Sequence, residues 1–358
     1  MPSPSYEYVA NLHVHTTFSD GRGTIEEVIS AAQKAKLDLL LINDHDTLAA
    51  LEQGYEGYHG KVLVLIGLEF SGRHNHYLAY GLKEVPPYDW QAPQAFINKT
   101  KEAGGIGFLA HPFEKGSPLS EGGKAFTWED WSVNGFDGLC LWNYSSTWKS
   151  QVKTIPQALW HYFFRAKTLL GPDKETRQKW DEIALTRPVA AVGGSDAHAF
   201  TYGFGPVKLT FFPYKYLFKA INTHILLDRP LTGELETDKT AVYRALAAGS
   251  CFVAHDRLHR SRGFKFWLEK QGEIQVCQGG EIKFEDGQQL VWSLPARTKV
   301  RLIKDGQPIL DITAGQGRFQ VSSPGTYRIE AFWPSRFFDL RPWIFSNHIY
   351  LRPSSYKF

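Results

Sequence analysis

Apolar runs of strand length recur through residues 9–198, and this pattern constrains the fold more than any other feature of the sequence. The runs LDLLLIN (37–43) and VLVLIGLEF (62–70) are continuously apolar, which is typical of parallel strands buried on both faces. A capping box formed by Thr24 and Glu27 begins an amphipathic helix between the first two strands. The alternation of such strands with helices predicts a parallel α/β sheet.

Residues that bind metals follow these apolar runs repeatedly. His13 and His15 stand one residue apart at the end of the first run, and residues i and i+2 of a strand point to the same face. In chain order the candidate ligands are His13, His15, Asp20, His45, Glu69, His76, His111, Asp196 and His198. This mixture of imidazoles and carboxylates suits zinc, manganese or iron. Because active sites of α/β barrels lie at the carboxyl ends of the strands, we expect these side chains to meet there.

Glu69 is the glutamate among these histidines, and such a carboxylate can bridge two cations about 3.5–4 Å apart, an arrangement that suits in-line hydrolysis. His74 lies two residues before His76 and would face the same way on an extended segment, so either could be the ligand. We prefer His76, since it directly precedes the apolar run that begins at Tyr77.

Three polar residues near the same rim could contact substrate oxygens: Arg22, Arg73 and Asn143. Residues of these types serve as often in ion pairs or helix caps, so the sequence leaves both roles open for each.

The pattern changes after Arg262. Short alternating stretches such as FKFWLE and TYRIEAFW follow, separated by Asp-Gly and Pro-Gly turns, and helical periodicity is absent. We therefore expect a barrel domain over residues 1–262 and a small antiparallel β-sandwich over residues 263–358.

The overall composition is that of an ordinary globular protein. The formal net charge is only +3 and no basic run is present, so nucleic acid is not expected as a stable partner. The three cysteines form no CxxC motif, which argues against a disulfide framework and a thiolate zinc site. The sequence has neither an apolar run long enough to span a bilayer nor a leader-like start, so we expect a cytoplasmic protein without a membrane association.

The ordered series NLHVHTTFSDG, INDHD, GLEF, HYLAYGL, FLAHP and GGSDAH resembles the PHP family, named for polymerase and histidinol phosphatase. The resemblance covers about residues 9–198 and implies a distorted (β/α)7 barrel with a three-metal site. It assigns one ion to His13, His15, Glu69 and Asp196, a second to Glu69, His76 and His111, and a third to Asp20, His45 and His198. The tail of the chain resembles the CehA/McbA-like metallohydrolases, which carry a C-terminal β-sandwich.

Together, the residues and the resemblance predict a metal-dependent phosphoesterase that acts on a small phosphate ester through a hydroxide bridging two metals. The residues expected to be catalytic are Glu69, Asp196 and His198. The general acid stays open among Asp44, His74 and a metal-bound water.

Two alternatives remain open at this point. The same metal centre could hydrolyse a carboxylic or carbamate ester, a reading favoured by an apolar rim, and four tryptophans lie near the predicted mouth: Trp128, Trp131, Trp142 and Trp148. A non-catalytic, metal-stabilised binding module is the other alternative. The C-terminal domain could cover the barrel or close the pocket with its aromatic tail, formed by Phe337, Phe338, Trp343 and Phe345. The sequence leaves the oligomeric state open.

Overall fold

The computed structural model describes residues 6–164, 169–204, 207–334 and 340–357. The first eight strands are β1 (Tyr6–Val14), β2 (Leu39–His45), β3 (Gly57–His59), β4 (Val62–Phe70), β5 (Tyr77–Tyr80), β6 (Ile106–Leu109), β7 (Gly138–Asn143) and β8 (Ala190–Ala197). The described helices are α1 (Ile25–Ala35), α2 (Ala49–Glu52), α3 (Pro93–Glu102), α4 (Tyr144–Gln151), α5 (Ile155–Phe163), α6 (Lys174–Ala184), α7 (Tyr214–Leu217) and α8 (Leu235–Ala247). None of the described helices is long and apolar enough to cross a bilayer.

Seven of these strands close a barrel in the order β1, β2, β4, β5, β6, β7, β8 and back to β1. The closed α/β barrel predicted from the sequence is therefore present. It departs from a purely parallel sheet at β5, which runs antiparallel to both β4 and β6. The connection between β4 and β5 spans only residues 71–76 and is too short for a parallel crossover, so the chain turns back as a hairpin.

Two apolar layers hold the barrel. One layer fills its interior with side chains such as Leu41, Leu65 and Phe108, and Val242 and Leu246 of α8 belong to the same cluster. The second layer lies between the outer face of the strands and the surrounding helices. Strands β2 and β4 are buried on both of their faces, as their continuous apolar sequences predict.

The capping box predicted for α1 is also present, with Thr24 accepting from the backbone of Glu27 and the Glu27 side chain accepting from the backbone of Thr24. All three cysteines are free, in agreement with the absence of a disulfide framework.

Strands continue to the end of the chain. They are β9 (Thr201–Phe204), β10 (Val207–Thr210), β11 (Ile221–Leu227), β12 (Cys251–His255), β13 (Lys265–Lys270), β14 (Glu273–Cys277), β15 (Glu281–Lys283), β16 (Gln288–Lys304), β17 (Gln307–Gln320), β18 (Gly325–Trp333), β19 (Arg341–Ser346) and β20 (Ile349–Arg352). Most neighbours from β11 onward pair antiparallel, as expected, although β15 and β20 are parallel.

The C-terminal strands are continuous with the barrel sheet. Strand β1 pairs with β11, β11 with β12, and β12 with β19. A separate β-sandwich is therefore not confirmed, and the domain boundary after Arg262 stays a prediction. Trp343 is buried in the apolar core of the C-terminal strands, and Phe345 packs edge-on against Trp142 at 5.7 Å. Phe337 and Phe338 of the aromatic tail lie outside the described residues.

Candidate metal centre

Glu69 lies at the centre of a cluster of histidines at the carboxyl end of the barrel. Its strand β4 pairs in register with β2, which places Glu69 directly opposite His45. The carboxylate is buried, with only 1% of the side chain exposed. Its Oε2 lies 2.8 Å from His13 Nε2, 3.3 Å from His15 Nε2 and 3.3 Å from His45 Nδ1. Its other oxygen faces a different pair of histidines, so the two carboxylate oxygens serve opposite sides of the cluster.

His76 and His111 form that second side. Glu69 Oε1 lies 2.9 Å from His76 Nδ1 and 3.3 Å from His111 Nε2. Each ring donates its other N–H to a backbone carbonyl: His76 Nε2 to Gly72 O at 3.0 Å, and His111 Nδ1 to Phe126 O at 2.9 Å. These donated bonds leave the nitrogen that faces Glu69 without a proton in a neutral ring. A lone pair facing a carboxylate at this distance requires either a second proton or a cation between them.

Asp196 joins His13 and His15 in a third grouping. Asp196 Oδ1 lies 3.4 Å from His13 Nε2 and 3.4 Å from His15 Nε2. Simple strand alternation does not bring these side chains together, because the pairing of β1 with β8 shifts register between Leu12 and Val14. His13 and Asp196 both adopt positive φ, 64° and 52°, beside this irregularity. The three side chains therefore lie together beside an irregularity of the strand pairing, where the sequence suggested a regular pleat.

Asp20, His45 and His198 lie together on the outer side of the cluster, next to His15. Asp20 Oδ1 is 3.1 Å from His198 Nε2 and 3.7 Å from His45 Nε2. Asp20 is also the most exposed of the nine predicted ligands, with 47% of its side chain accessible. This group therefore faces the mouth of the barrel.

Asp44 holds the loop that carries Asp20. Its carboxylate accepts hydrogen bonds from Thr16 N at 2.7 Å, Thr16 Oγ1 at 2.8 Å and Ser19 Oγ at 2.6 Å. Asp44 is buried, and both of its oxygens are engaged with the loop. This arrangement favours a structural role for Asp44 over the general-acid role left open by the sequence.

His74 and His76 have different surroundings, which bears on the choice between them as the ligand. His76 contacts Glu69, whereas His74 Nδ1 lies 3.3 Å from the exposed carboxylate of Glu129. The intervening Asn75 has a φ of 61°, so the segment is not extended and the two rings do not share a face. The geometry therefore favours His76 as the ligand.

The carboxylates of the cluster face histidines. Among the described residues, the ion pairs of Asp20, Glu69 and Asp196 involve histidines and neither lysine nor arginine. Burial alone would raise the pKa of Glu69, but the nearby imidazoles of His13 and His76 hold that pKa well below its usual value. The pKa of Asp196 is lowered in the same way by His13 and His15, against the effect of burial. The two buried carboxylates therefore stay ionised and require positive charge.

The histidines respond in two ways: burial lowers the pKa of His13 and His45, whereas the pKa values of His15 and His111 are raised. Burial disfavours the charged form of His15, yet the adjacent carboxylates of Asp196 and Glu69 raise its pKa to about 10. Burial likewise opposes protonation of His111, while Glu69 raises its pKa to about 9. Protons on these rings thus supply the positive charge that a divalent cation would otherwise provide.

The donor set fits divalent metal ions. Two donor atoms at about 2.0–2.2 Å from one ion lie roughly 3.0–3.5 Å apart in octahedral or tetrahedral geometry. Several contacts fall in this range, including those of Asp196 Oδ1 with His13 and His15 at 3.4 Å. Within the described residues, both ring nitrogens of His15 and Nδ1 of His45 are buried without a hydrogen-bond partner.

The three residues proposed to contact substrate lie in different settings. Asn143 Nδ2 donates to Asp196 Oδ2 at 3.3 Å, while its Oδ1 caps α4 by accepting from Ser146 N. Arg22 is exposed and lines a surface groove beside α1 with Glu26 and residues near Tyr214. Arg73 is also exposed. The structure therefore brings Asn143 into the cluster, where it contacts a predicted ligand.

Glu114 is a buried member of the site that sequence reasoning missed. It lies close to His111 and Asp196, and its Oε2 is 4.0 Å from His111 Nδ1. Glu114 accepts a hydrogen bond from Ser146 Oγ at 2.5 Å and pairs with Lys149 Nζ at 3.3 Å. The only local signal is its position three residues after His111, which does not distinguish it from a surface glutamate.

Comparison with known proteins gives a family match over part of the chain. Residues 11–186 match the model of the PHP domain, which includes seven of the nine candidate ligands. A curated relative, phosphoribosyl 1,2-cyclic phosphate 1,2-diphosphodiesterase of Eggerthella lenta, is 37% identical over 86 residues. The aligned segment covers 22% of this chain and 33% of that relative, so the chain matches only a third of the relative's length.

Two solved structures are similar in outline. A two-domain protein from Bacteroides vulgatus, described as containing a predicted PHP-like metal-dependent phosphoesterase, is 13% identical, covers 92% of both chains and gives a TM-score of 0.44. An amidohydrolase from Chromobacterium violaceum with bound sulfate is 15% identical and gives a TM-score of 0.34, covering 53% of this chain and 87% of its own.

Proposed function

We propose that this protein is a metal-dependent hydrolase that acts on a small phosphate ester and holds two to three divalent ions at the barrel mouth. The observation that carries this proposal is the charge of the cluster: three carboxylates, two of them buried, face six imidazoles with neither lysine nor arginine among their described ion pairs. The PHP domain match and the phosphodiesterase relative support the choice of a phosphate ester. Zinc, manganese and iron all suit these ligands.

The resemblance to the PHP family implies which side chains share an ion. It assigns one group to His13, His15, Glu69 and Asp196, a second to Glu69, His76 and His111, and a third to Asp20, His45 and His198. The ligand atoms of the third group lie together beside His15, while Glu69 lies together with His13 and His111 and also with His45 and His76. Glu69 would belong to the first two groups, since its two oxygens face different histidines. His15 also lies close to the side chains of the third group, so the first and third groups are adjacent.

Bound in these positions, divalent ions would supply activation of water and compensation of the charge on the phosphoryl group. The protein contributes the placement of the ligands. The carbonyls of Gly72 and Phe126 orient the rings of His76 and His111, and Asn143 orients Asp196. Such outer contacts set both the tautomer and the direction of a metal-binding imidazole.

Proton delivery to the leaving group needs a residue at the rim. Of the two side chains considered, Asp44 has both oxygens engaged with the Thr16–Ser19 loop. His74 is 21% exposed and contacts the exposed Glu129, so its side chain is not held by a buried network as that of Asp44 is. His74 is therefore the better candidate for proton donation.

A carboxylic or carbamate ester is the second candidate substrate. A specific observation favours it: Trp148 lines a recess beside His198, so part of the mouth is apolar. The other three tryptophans named from the sequence do not line that recess: Trp128 and Trp142 are buried, and Trp131 packs on Phe113.

A hydrolysis screen tests the proposal. Protein loaded with manganese or zinc should turn over phosphate mono- or diesters and should lose this activity when a chelator removes the metal. Turnover restricted to carboxylic esters would reverse the ranking of the two substrate classes. Bound metal without turnover of any ester would favour the non-catalytic binding module.

A further inference from the structure

Two buried polar side chains, Asn11 and Ser195, join the strands that carry the candidate ligands His13 and Asp196. Ser195 Oγ on β8 donates a hydrogen bond to Asn11 Oδ1 on β1 at 2.5 Å. Both residues are completely buried, at 0% exposure. Ser195 directly precedes Asp196, and Asn11 lies two residues before His13. The hydrogen bond therefore links the two strands immediately before their ligands.

The backbone pairing of β1 with β8 is irregular at this point. Its register shifts between Leu12 and Val14. His13, which lies within the shift, has a φ of 64°, and Asp196 on the other strand has a φ of 52°. A residue other than glycine keeps such a conformation only where the surrounding structure holds it. The side-chain hydrogen bond between the strands thus lies where the backbone pairing is interrupted and the ligands are strained.

Strand β11, which lies outside the seven-stranded barrel, continues this chain of hydrogen bonds. Asn11 Nδ2 donates to Asn222 Oδ1 at 2.8 Å and to Ile221 O at 2.9 Å. The neighbouring Thr223 Oγ1 accepts from Gly193 N at 2.8 Å and donates to Gly193 O at 2.7 Å. Side chains of β11 therefore bind both β1 and β8 next to the irregular pairing.

Asp256 fixes the direction of the hydrogen bonds in this chain. Burial opposes its charge, but His224 lowers the pKa of Asp256, and an ionised carboxylate can only accept. Asn222 accordingly presents its amide nitrogen, which donates to Asp256 Oδ2 at 2.8 Å. The Asn222 oxygen is then available to the Asn11 nitrogen, and the Asn11 oxygen to the Ser195 hydroxyl. Reversing either amide would break contacts on both of its sides.

We propose that the chain from Asn222 through Asn11 to Ser195 positions the metal centre. It holds the two strained ligands, His13 and Asp196, where they can share an ion. The inference rests on the proposed function, since it assumes that a divalent ion occupies this group of ligands. It also makes β11 a part of the metal centre, although this strand lies beyond the segment that matches the PHP domain. Outer residues that orient ligands in this way set the affinity for the metal.

The affinity for zinc tests this role, because it is measured without any ester. Ser195→Ala deprives Asn11 Oδ1 of this donor, so we expect one zinc ion to bind about 10–100-fold more weakly in competition with a chelator. Asn222→Leu removes an acceptor of Asn11 Nδ2 and should weaken the same ion. Because both substitutions act through Asn11, the double variant should lose no more affinity than the weaker-binding single variant.

Ser346→Ala is the matched control. Ser346 is also 0% exposed, and its hydroxyl accepts from Ile329 N at 2.8 Å among the C-terminal strands. Urea unfolding of the metal-free proteins measures the loss of stability in each variant. The control should lose stability and keep its affinity for zinc, whereas Ser195→Ala should lose affinity while it stays folded. Should Asn222→Leu fail to fold, Thr223→Val replaces it, since valine keeps the shape of the side chain but cannot bind Gly193.

Four results decide between the alternatives. Unchanged zinc affinity in Ser195→Ala, or an equal loss in Ser346→Ala, overturns the positioning role without touching the phosphoesterase function. Additive losses in the double variant overturn the shared route through Asn11. Failure of the unaltered protein to bind zinc overturns both the positioning role and the proposed function. Weaker zinc binding in Ser195→Ala, with no turnover of phosphate esters by the unaltered protein, supports the positioning role and contradicts the phosphoesterase function.

Discussion

His13 Nε2 and Glu69 Oε2 lie 2.8 Å apart although 56 residues separate them in the chain. The contact joins the ends of β1 and β4, two strands of the barrel that are not neighbours, because β2 lies between them. Both side chains are 1% exposed. Most of the chemistry proposed for the site depends on this junction, because Glu69 also contacts histidines on its other side.

Replacing Glu69 tests whether its charge holds the metals. Glu69→Gln keeps the size of the side chain but removes a negative charge, so we expect loss of at least one bound metal and a fall in kcat of about 10²–10³-fold. Metal content measured by mass spectrometry and steady-state kinetics check both effects. Glu102→Gln is the control, since Glu102 is an exposed carboxylate at the end of α3. Full activity and full metal content in Glu69→Gln would refute a bridging role.

The metal content of two alanine variants tests whether His76 or His74 is the metal ligand. His76→Ala should lose one metal equivalent, because His76 Nδ1 lies 2.9 Å from Glu69 Oε1. His74→Ala should keep the full metal content, because His74 faces Glu129. If His74 donates the proton, its alanine variant should lower kcat and change the basic limb of the pH profile. The reverse pattern of metal loss would make His74 the ligand.

Asp44 should act on metal binding without touching a metal. Asp44→Asn places an amide donor against Thr16 and Ser19, which already donate there, and should loosen the loop that carries Asp20. We expect the affinity for one ion to fall about 10–100-fold, measured by chelator competition. Asp46→Asn is a suitable control, because Asp46 accepts hydrogen bonds from Ser71 and not from this loop. An unchanged affinity in Asp44→Asn would exclude this positioning role.

His224, a buried histidine outside the metal centre, predicts that the stability of the protein depends on pH. His224 lies between Glu7, at 2.6 Å, and Asp256, at 3.1 Å. Burial opposes its charge, but Asp256 and Glu7 raise its pKa to about 9, above the usual histidine value of 6.5. Because the folded-state pKa is raised, protonated His224 contributes about 3 kcal/mol to the free energy of unfolding. This contribution is fully present below pH 6.5 and is lost as the pH rises through 9.

Urea unfolding of the metal-free protein between pH 6 and pH 9.5 measures this effect. The free energy of unfolding should fall with pH more steeply in the unaltered protein than in His224→Gln, and the difference between the two isolates this residue. The variant should also be less stable at pH 6, because Glu7 and Asp256 lose their partner. Equal slopes for the two proteins would show that His224 does not carry the charge.

The strands that are apolar on both faces predicted a parallel α/β sheet, and the resemblance to the PHP family implied that this sheet closes into a barrel. The nine candidate ligands follow these strands, so their meeting at one rim could be predicted from their spacing. The positive φ of His13 could not be predicted from the sequence, because a non-glycine residue adopts a positive φ only when the surrounding structure imposes it.

Other features depend on contacts between distant parts of the chain. Glu114 and Lys149 are 35 residues apart, and no local pattern links them. Arg22 and Arg73 were chosen for their charge and their position near the rim, but both side chains are exposed and neither forms an ion pair with the nine candidate ligands among the described residues. Arg22 contacts one of them through its backbone only, since its N–H donates to His198 O at 2.9 Å. The continuity of β12 with β19 likewise depends on long-range pairing, which the alternation of short strands does not reveal.

Anomalous diffraction from crystals loaded with manganese or zinc tests the central claim most directly. The account predicts two or three strong peaks among the nine side chains, with at least one bounded by Glu69, His13 and Asp196. The absence of any peak at this cluster after metal loading, or peaks confined to other parts of the protein, would contradict it.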